Sequence, residues 1–466
     1  MRTLSALIAT TLLTAVALPA AAAPSYDGGL STPREDSYYP QHGDPGVDVL
    51  HYGLDLRWHR GSRTLVGSAD ITLRATADAD DLQLDLGRTL HVREVSVDGT
   101  RVASSHDGAV LHVEQPVVSD QRYLVHVGYR GTPHTVAAPS TRSDQRGGLG
   151  MRVTKDGQLR TMQEPYGAFT WYPANDQPSD KALLDVRVTA PKGWVGVSNG
   201  RLLSRKRTAA GTVTRFHLAH PVATYLTTLA VGPYVHRTAT GPHGLPLSYW
   251  LPRSDPERYL KVLRHLPADL RWLEDRLGRY PFESAGVVVV PGASAMETQT
   301  LVTFGAKTWA ASEIPREILV HEVAHQWYGD TVTPSDWSDL WMNEGMAMYL
   351  EARWSASHGR APWSAWTNYF SQRNRRDRAE QGGPGDYDPG MFASGCVYYC
   401  TSAMYEKLRG KIGNDAFWQL VQQWPQSQPD ANVDRAGFAA MAEELSGQDL
   451  GDFFETWLTS PTWPPA

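Results

Sequence analysis

The sequence predicts an α+β protein of more than one domain, β-rich in its first half and mainly helical in its second. Three observations predict this. Apolar residues alternate with period two through much of 46–235, the pattern of half-buried strands. Beyond residue 236 the text turns to helical segments with recognisable start and stop residues. The chain has 466 residues, more than one ordinary domain holds.

Met1-Arg2-Thr3, an apolar run over 4–19 and the alanines at 20–23 follow the layout of a secretory signal peptide. Residues 1–23 are assigned to it, with cleavage near Ala22 or Ala23. The run is short for a membrane anchor, and no other stretch is long and apolar enough to span a bilayer. The protein is therefore expected to be secreted, without integral membrane association. Residues 24–45, rich in Gly, Pro, Ser and Asp, read as a loose lead-in.

Strands follow. Tyr52, Leu54, Leu56 and Trp58 alternate with other residues, as do Ala69, Ile71, Leu73 and Ala75. Leu82, Leu84 and Leu86, then Tyr123, Val125, Val127 and Tyr129, then Leu184, Val186 and Val188 repeat the pattern. Turn dipeptides such as Asp98-Gly99 and Asp107-Gly108 separate such runs and favour antiparallel pairing. Residues 46–235 read as one β domain of sandwich or saddle type, with 216–234 as its last strands.

The turn-rich stretch 241–252 marks a boundary, and 236–466 reads as the second domain. Asp255 is a good N-cap with Pro256 at the first helical position. The run Val287-Val288-Val289-Val290 reads as a buried strand. Helices are expected over 313–328, 339–357, 396–411, 414–424 and 434–457, with a Gly/Pro/Asp-rich loop over 381–395.

Hydrophobic residues make up 41% and charged residues 20%, a globular composition. The formal net charge of -6 gives no basic surface for nucleic acid or an anionic membrane. The two cysteines, Cys396 and Cys400, lie four apart, within disulfide reach if helical, and export would expose them to oxidation.

His321-Glu322-Val323-Ala324-His325 carries the chemistry. On a helix, residues four apart share a face, so both imidazoles can reach one ion. Glu322 lies about 100° around the helix and can approach a metal-activated water without being a ligand. A catalytic zinc usually takes three protein ligands. Glu344, after 18 intervening residues, supplies the third, on a second helix that Ser338 can cap about two turns earlier. Glu351, seven residues on, is placed to orient a ligating imidazole. The chemistry expected of one Zn2+ per chain is hydrolysis, with Glu322 as general base.

The string His321-Glu322-Val323-Ala324-His325-Gln326-Trp327-Tyr328-Gly329-Asp330 and the segment Trp337-Ser338-Asp339-Leu340-Trp341-Met342-Asn343-Glu344-Gly345 resemble the aminopeptidase N family of zinc metallopeptidases. The resemblance runs from about residue 46 to 460. It implies an N-terminal β saddle and a thermolysin-like catalytic domain. Ser294-Ala295-Met296-Glu297-Thr298 matches the family's Gly-x-Met-Glu-Asn motif at Met296 and Glu297, with Ser and Thr replacing Gly and Asn. Glu297 is thereby implied as the acid that binds the substrate's α-amine, with Ala295 and Met296 beside the pocket. Glu164 falls where the family has a second amine-binding residue. The family's oxyanion-stabilising tyrosine is implied at Tyr398, 54 residues after Glu344, with Tyr399 as its neighbour and competitor. A disulfide between Cys396 and Cys400 would stiffen that turn. Many relatives carry a further C-terminal helical domain; the chain stops at Ala466, so a more open cleft is expected.

The function these residues imply is a secreted zinc aminopeptidase acting on peptides with a free N-terminus. A zinc hydrolase of the same scaffold with endopeptidase or epoxide hydrolase activity is the alternative within enzymes. An inactive binding protein is the alternative outside them. Preferred N-terminal residue, physiological substrate and oligomeric state leave no signal in the sequence.

Overall fold

The computed structural model describes residues 25–310 and 314–464. Residues 1–23, where the signal peptide is expected, lie outside the described residues. None of the described helices is long and apolar enough to cross a membrane.

The first half is built on a large twisted sheet of eight strands. Val47–His59 and Thr64–Ala75 form its centre, paired antiparallel from Val47 opposite Ala75 to His59 opposite Thr64. Their buried residues alternate as the sequence predicts: Leu54, Leu56 and Trp58 on one strand, Ala69, Ile71 and Leu73 on the other. One pair departs from the antiparallel expectation. Val47–His59 runs parallel to Lys181–Ala190, a pairing that a hairpin cannot make and that the long connection between these strands allows. A four-stranded sheet lies in the order Val195–Ser198, Leu229–Gly232, Leu159–Met162, Gly150–Val153. The strand Leu159–Met162 leads directly to Gln163 and Glu164.

A five-stranded sheet opens the second half, in the order Tyr234–Thr240, Pro246–Pro252, Ala285–Val290, Val302–Gly305, Ala295–Met296. The stretch expected as a turn-rich boundary, 241–252, thus includes a sheet strand, which pairs back onto Tyr234–Thr240. Val287, Val288, Val289 and Val290 are fully buried, as a central strand requires. The short strand Ala295–Met296 stands at the sheet's edge, paired antiparallel to Val302–Gly305.

Nine helices are described: α1 Pro256–Leu263, α2 Leu266–Leu277, α3 Ile314–Ala324, α4 Trp341–Ser357, α5 Trp363–Gln381, α6 Gly395–Ile412, α7 Asn414–Ser427, α8 Arg435–Ser446 and α9 Gly451–Thr459. Asp255 caps α1 through the Arg258 amide. Three differences from expectation have local causes. α5 carries a polar buried stripe, Asn374, Asp377 and Arg378, and this conceals its inner face from a hydrophobicity reading. The long helix expected over 434–457 breaks at Gly447, whose φ of 67° ends α8. Ser338 does not cap α4: Asp336 caps an intervening 3-10 turn, Trp337–Asp339, and α4 starts at Trp341. Glu344 therefore stands in the first turn of α4, not two turns in.

The lead-in is also more engaged than its composition suggests. The Ser37 amide and hydroxyl both donate to Asp336 at 2.8 Å, and Asp36 accepts from the Trp337 amide at 2.8 Å. Residues 36 and 37 thus tie the start of the chain to the approach to α4. Between the halves, the buried Lys181 ammonium donates to the Asp330 and Thr331 carbonyls at 2.8 and 3.1 Å. Asn199 Nδ2 donates to the Gln299 carbonyl at 2.7 Å.

Candidate metal centre and active cleft

α4 is buried on nearly every side, so it is a core helix and not an amphipathic surface one. It packs between α3 and α6. Gly345 permits the close approach of α6: a Cβ there would fall 2.2 Å from Thr401 Cγ2. The residue beside it, Glu344, faces the end of α3.

His321, His325 and Glu344 converge there, all buried. His321 Nε2 lies 3.1 Å and His325 Nε2 3.3 Å from Glu344 Oε2. Donors around a tetrahedral zinc with bonds of about 2.0–2.1 Å stand about 3.3 Å apart, so the set fits such an ion. The other ring nitrogens are oriented from behind. His325 Nδ1 meets the Tyr328 carbonyl at 3.0 Å, and His321 Nδ1 lies 3.1 Å from Glu351 Oε2. Both leave the Nε2 atoms for a metal. Burial alone would raise the Glu344 carboxyl, but the two imidazoles hold it well below the usual carboxylate range.

Glu322, Glu164 and Glu297 line the same cavity of about 790 Å³, together with Ala295, Met296 and Tyr398. The metal-ligating, catalytic and substrate-binding candidates from the sequence therefore meet at one place. Burial raises the Glu322 carboxyl to about 8, against the pull of His321 and with the push of Glu297. Glu164 is pushed well above the carboxylate range by burial, then by Glu297 and Glu344. Glu297 is raised by burial despite the nearby His325. Each of these last two acids has one buried carboxylate oxygen with no hydrogen-bond partner among the described residues. Both acids thus carry an oxygen left open to a donor that enters the cavity.

Of the adjacent tyrosines, Tyr398 is the one turned to the triad. Its hydroxyl donates to Glu344 Oε1 at 2.6 Å. Tyr399 packs instead on Tyr369 and under the Arg373 guanidinium, 3.9 Å from its ring centre. Cys396 and Cys400 are joined, and they bracket Tyr398 on α6.

Sequence reasoning missed Arg142. It lies in the loop before the strand Gly150–Val153, and its Nη1 donates to the Tyr398 hydroxyl at 2.6 Å. Asp144 pairs with it at 3.0 Å and accepts from Ser294 Oγ at 3.1 Å. The serine that replaces the family's glycine thus fastens the edge strand to the loop carrying Arg142. Nothing local marks Arg142 in a Gly/Ser/Asp-rich loop; only the fold brings it to Tyr398. α5, also missed, contributes Trp366, Tyr369 and Arg373 to the cavity wall.

Comparison with known proteins agrees with this geometry. The Peptidase M1 N-terminal domain model matches residues 48–226, and the Peptidase family M1 domain model matches 263–457. Aminopeptidase N of Streptomyces lividans is 30% identical over 339 residues, 66% of this chain and 38% of its own length. Glutamyl aminopeptidase of Rattus norvegicus is 24% identical over 90% of this chain and 48% of its own length. The chain thus spans about half or less of these curated relatives. Among solved structures, the M1 zinc metallopeptidase from Deinococcus radiodurans has a TM-score of 0.82 at 27% identity, covering 92% of this chain and 98% of that one. The fold is also that of yeast LTA4 hydrolase, at 19% identity and a TM-score of 0.76 over 95% of this chain and 72% of that one. With both family models matched in order and the zinc ligands gathered between α3 and α4, the chain belongs to peptidase family M1, the zinc metallopeptidases that include aminopeptidase N.

Proposed function

We propose that the protein is a secreted zinc aminopeptidase that releases N-terminal residues from peptides, with Glu322 as general base. The observation that carries this reading is the pair Glu164 and Glu297, each with a partnerless buried oxygen beside the His321–His325–Glu344 triad. Two such acids attract an ammonium and fix the first residue of a substrate relative to the metal.

Zinc held by the triad would polarise the scissile carbonyl and acidify water. Glu322 accepts a proton from the attacking water on a carboxylate oxygen and delivers it to the leaving nitrogen. Tyr398 turns its hydroxyl toward the developing oxyanion, and the Arg142 guanidinium holds the phenol in place. Glu351 and the Tyr328 carbonyl keep the two imidazoles aimed. Export is supported by the alanine-terminated apolar run at the N-terminus and by the Cys396–Cys400 bond, of a kind favoured outside the cytosol.

The test is a set of aminoacyl fluorogenic amides against the same peptides with acetylated N-termini, with and without a chelator. Aminopeptidase action requires cleavage of the free forms only, lost on chelation and restored by zinc. Equal cleavage of acetylated peptides overturns it. Sequencing the N-terminus of protein recovered from culture medium tests export.

A further inference from the structure

The cavity has two ends of opposite character. Carboxylates crowd the metal end: Glu164, Glu297, Glu322 and Glu344. Along the strand Leu159–Met162, leading away from Glu164, the wall turns to arginine. Arg160 and Arg152 are direct partners on neighbouring antiparallel strands, so their side chains share a face of the sheet. Both line the cavity.

Two other arginines line it, and both are engaged. Arg142 is held by Asp144 and Tyr398, and Arg373 by Asp377 and Tyr369. Arg152 and Arg160 make no side-chain hydrogen bond or ion pair among the described residues. Arg152 is exposed at the rim. Arg160 is only 8% exposed, and its Nε lacks any partner. The Arg160 guanidinium lies against Gly292, where a Cβ would stand 3.2 Å from Cζ. Gly292 leads into the edge strand Ala295–Met296, which Glu297 follows. The guanidinium therefore reaches from the segment that leads to Glu164 onto the segment that leads to Glu297. A buried cation without a counter-ion is costly, and burial together with Arg152 lowers its pKa to about 10. An anion entering the cleft would relieve both.

We propose that Arg160, supported by Arg152, forms a carboxylate-binding subsite in the cleft, and that its ligand is the acidic side chain of the substrate's first residue, glutamate above aspartate. The choice of that carboxylate rests on the aminopeptidase reading; the anion site itself does not. An N-terminal glutamate carries an ammonium and a carboxylate within one residue, matching the acidic and basic ends of the cavity. Arg160 and Met162 share one face of the strand Leu159–Met162 and Glu164 follows two residues beyond it, four residue steps from Arg160, at most about 13 Å of extended backbone. The long arginine side chain shortens that gap, and the longer acid closes more of what remains.

The test compares Glu-, Gln- and Leu-anilides on zinc-loaded protein. The wild type should give a kcat/KM for Glu at least about 10-fold above that for Gln, the size of a charge-assisted bond. Arg160→Met should collapse that ratio toward one, and Arg160→Lys should retain part of it. The ratio is read within each variant, so general damage to the fold lowers both substrates and does not mimic the effect. A readout without turnover uses Glu322→Gln protein and calorimetry. Free L-glutamate should bind more tightly than L-glutamine, and the added Arg160→Met change should abolish the difference. Equal handling of Glu and Gln by wild type in both assays overturns the proposal. If instead Leu-Gly is preferred over its C-terminal amide and Arg160→Met erases that preference, the carboxylate is the peptide's C-terminus and the side-chain assignment falls. If no anilide is cleaved, the aminopeptidase reading fails alone, and the calorimetry still decides the anion site.

Discussion

Arg142, on a loop of the first domain, donates a 2.6 Å hydrogen bond to the phenol oxygen of Tyr398, 256 residues further along the chain. That phenol in turn donates to Glu344 Oε1 at 2.6 Å. The phenol is thus fixed by a cation from one domain and a residue of the His-His-Glu triad from the other.

Replacing Arg142 with Met should lower kcat on a Leu-anilide by about 10- to 100-fold, the size of one lost charge-assisted bond, with a smaller change in KM. Zinc content by elemental analysis should stay at one per chain, since Arg142 touches no imidazole. A fall in KM-linked affinity with kcat intact would reject its role in holding Tyr398.

Glu322→Gln should retain stoichiometric zinc and lose about 10²- to 10⁴-fold in kcat, the range for removing a general base. Metal analysis beside steady-state kinetics checks it. Retained turnover rejects Glu322 as the base.

Glu297→Ala removes one of the two acids with a partnerless oxygen. KM for free aminoacyl amides should rise by about 10- to 100-fold, while the already poor acetylated substrates change little. Discrimination between free and acetylated substrates is the readout, and its persistence would show that the amine is bound elsewhere.

Gly345→Ala would drive a methyl to within 2.2 Å of Thr401 Cγ2. Overpacking of this kind costs about 1–3 kcal/mol. The α4–α6 contact would open, so melting temperature and kcat should fall together. An unchanged melting temperature would mean that the two helices adjust freely.

Asp85 is buried, accepts from the Gly43 and Asp176 amides, and is raised from 3.8 to about 8 by burial and by Asp176. The native state holds a proton there that the unfolded chain releases at its ordinary value. Stability should therefore fall as pH rises from about 4 to about 8. Asp85→Asn keeps an acceptor for both amides and should flatten that fall. Denaturant unfolding at pH 5, 7 and 8.5 measures it, and an unchanged slope would contradict the assignment.

The metal ligands and the β-then-α order were legible because each leaves a periodic trace. His321 and His325 stand one helical turn apart at the end of α3, Glu344 lies on the next helix, and the strand residues Leu54, Leu56 and Trp58 repeat every second position. Arg142, Arg160 and α5 were not legible, for a common reason. Their roles arise from pairing across distance, Arg142 with Tyr398 and Arg160 with Arg152, or from buried polar groups such as Arg378, which donates to the Trp457 carbonyl. Helix starts failed where a side chain served a different turn, as with Asp336 ahead of α4.

The Asp144 carboxylate clasps both Arg142 and Ser294, so one acid joins a loop of the first domain to the edge strand of the second. A chimera that takes the first domain from one relative and the second from another would have to carry these three positions as a set. Grafting the serine without the aspartate would leave only the bond from Ser294 Oγ to the residue 144 carbonyl at that lip, and would strip the Arg142 guanidinium of its carboxylate, even with every zinc ligand in place.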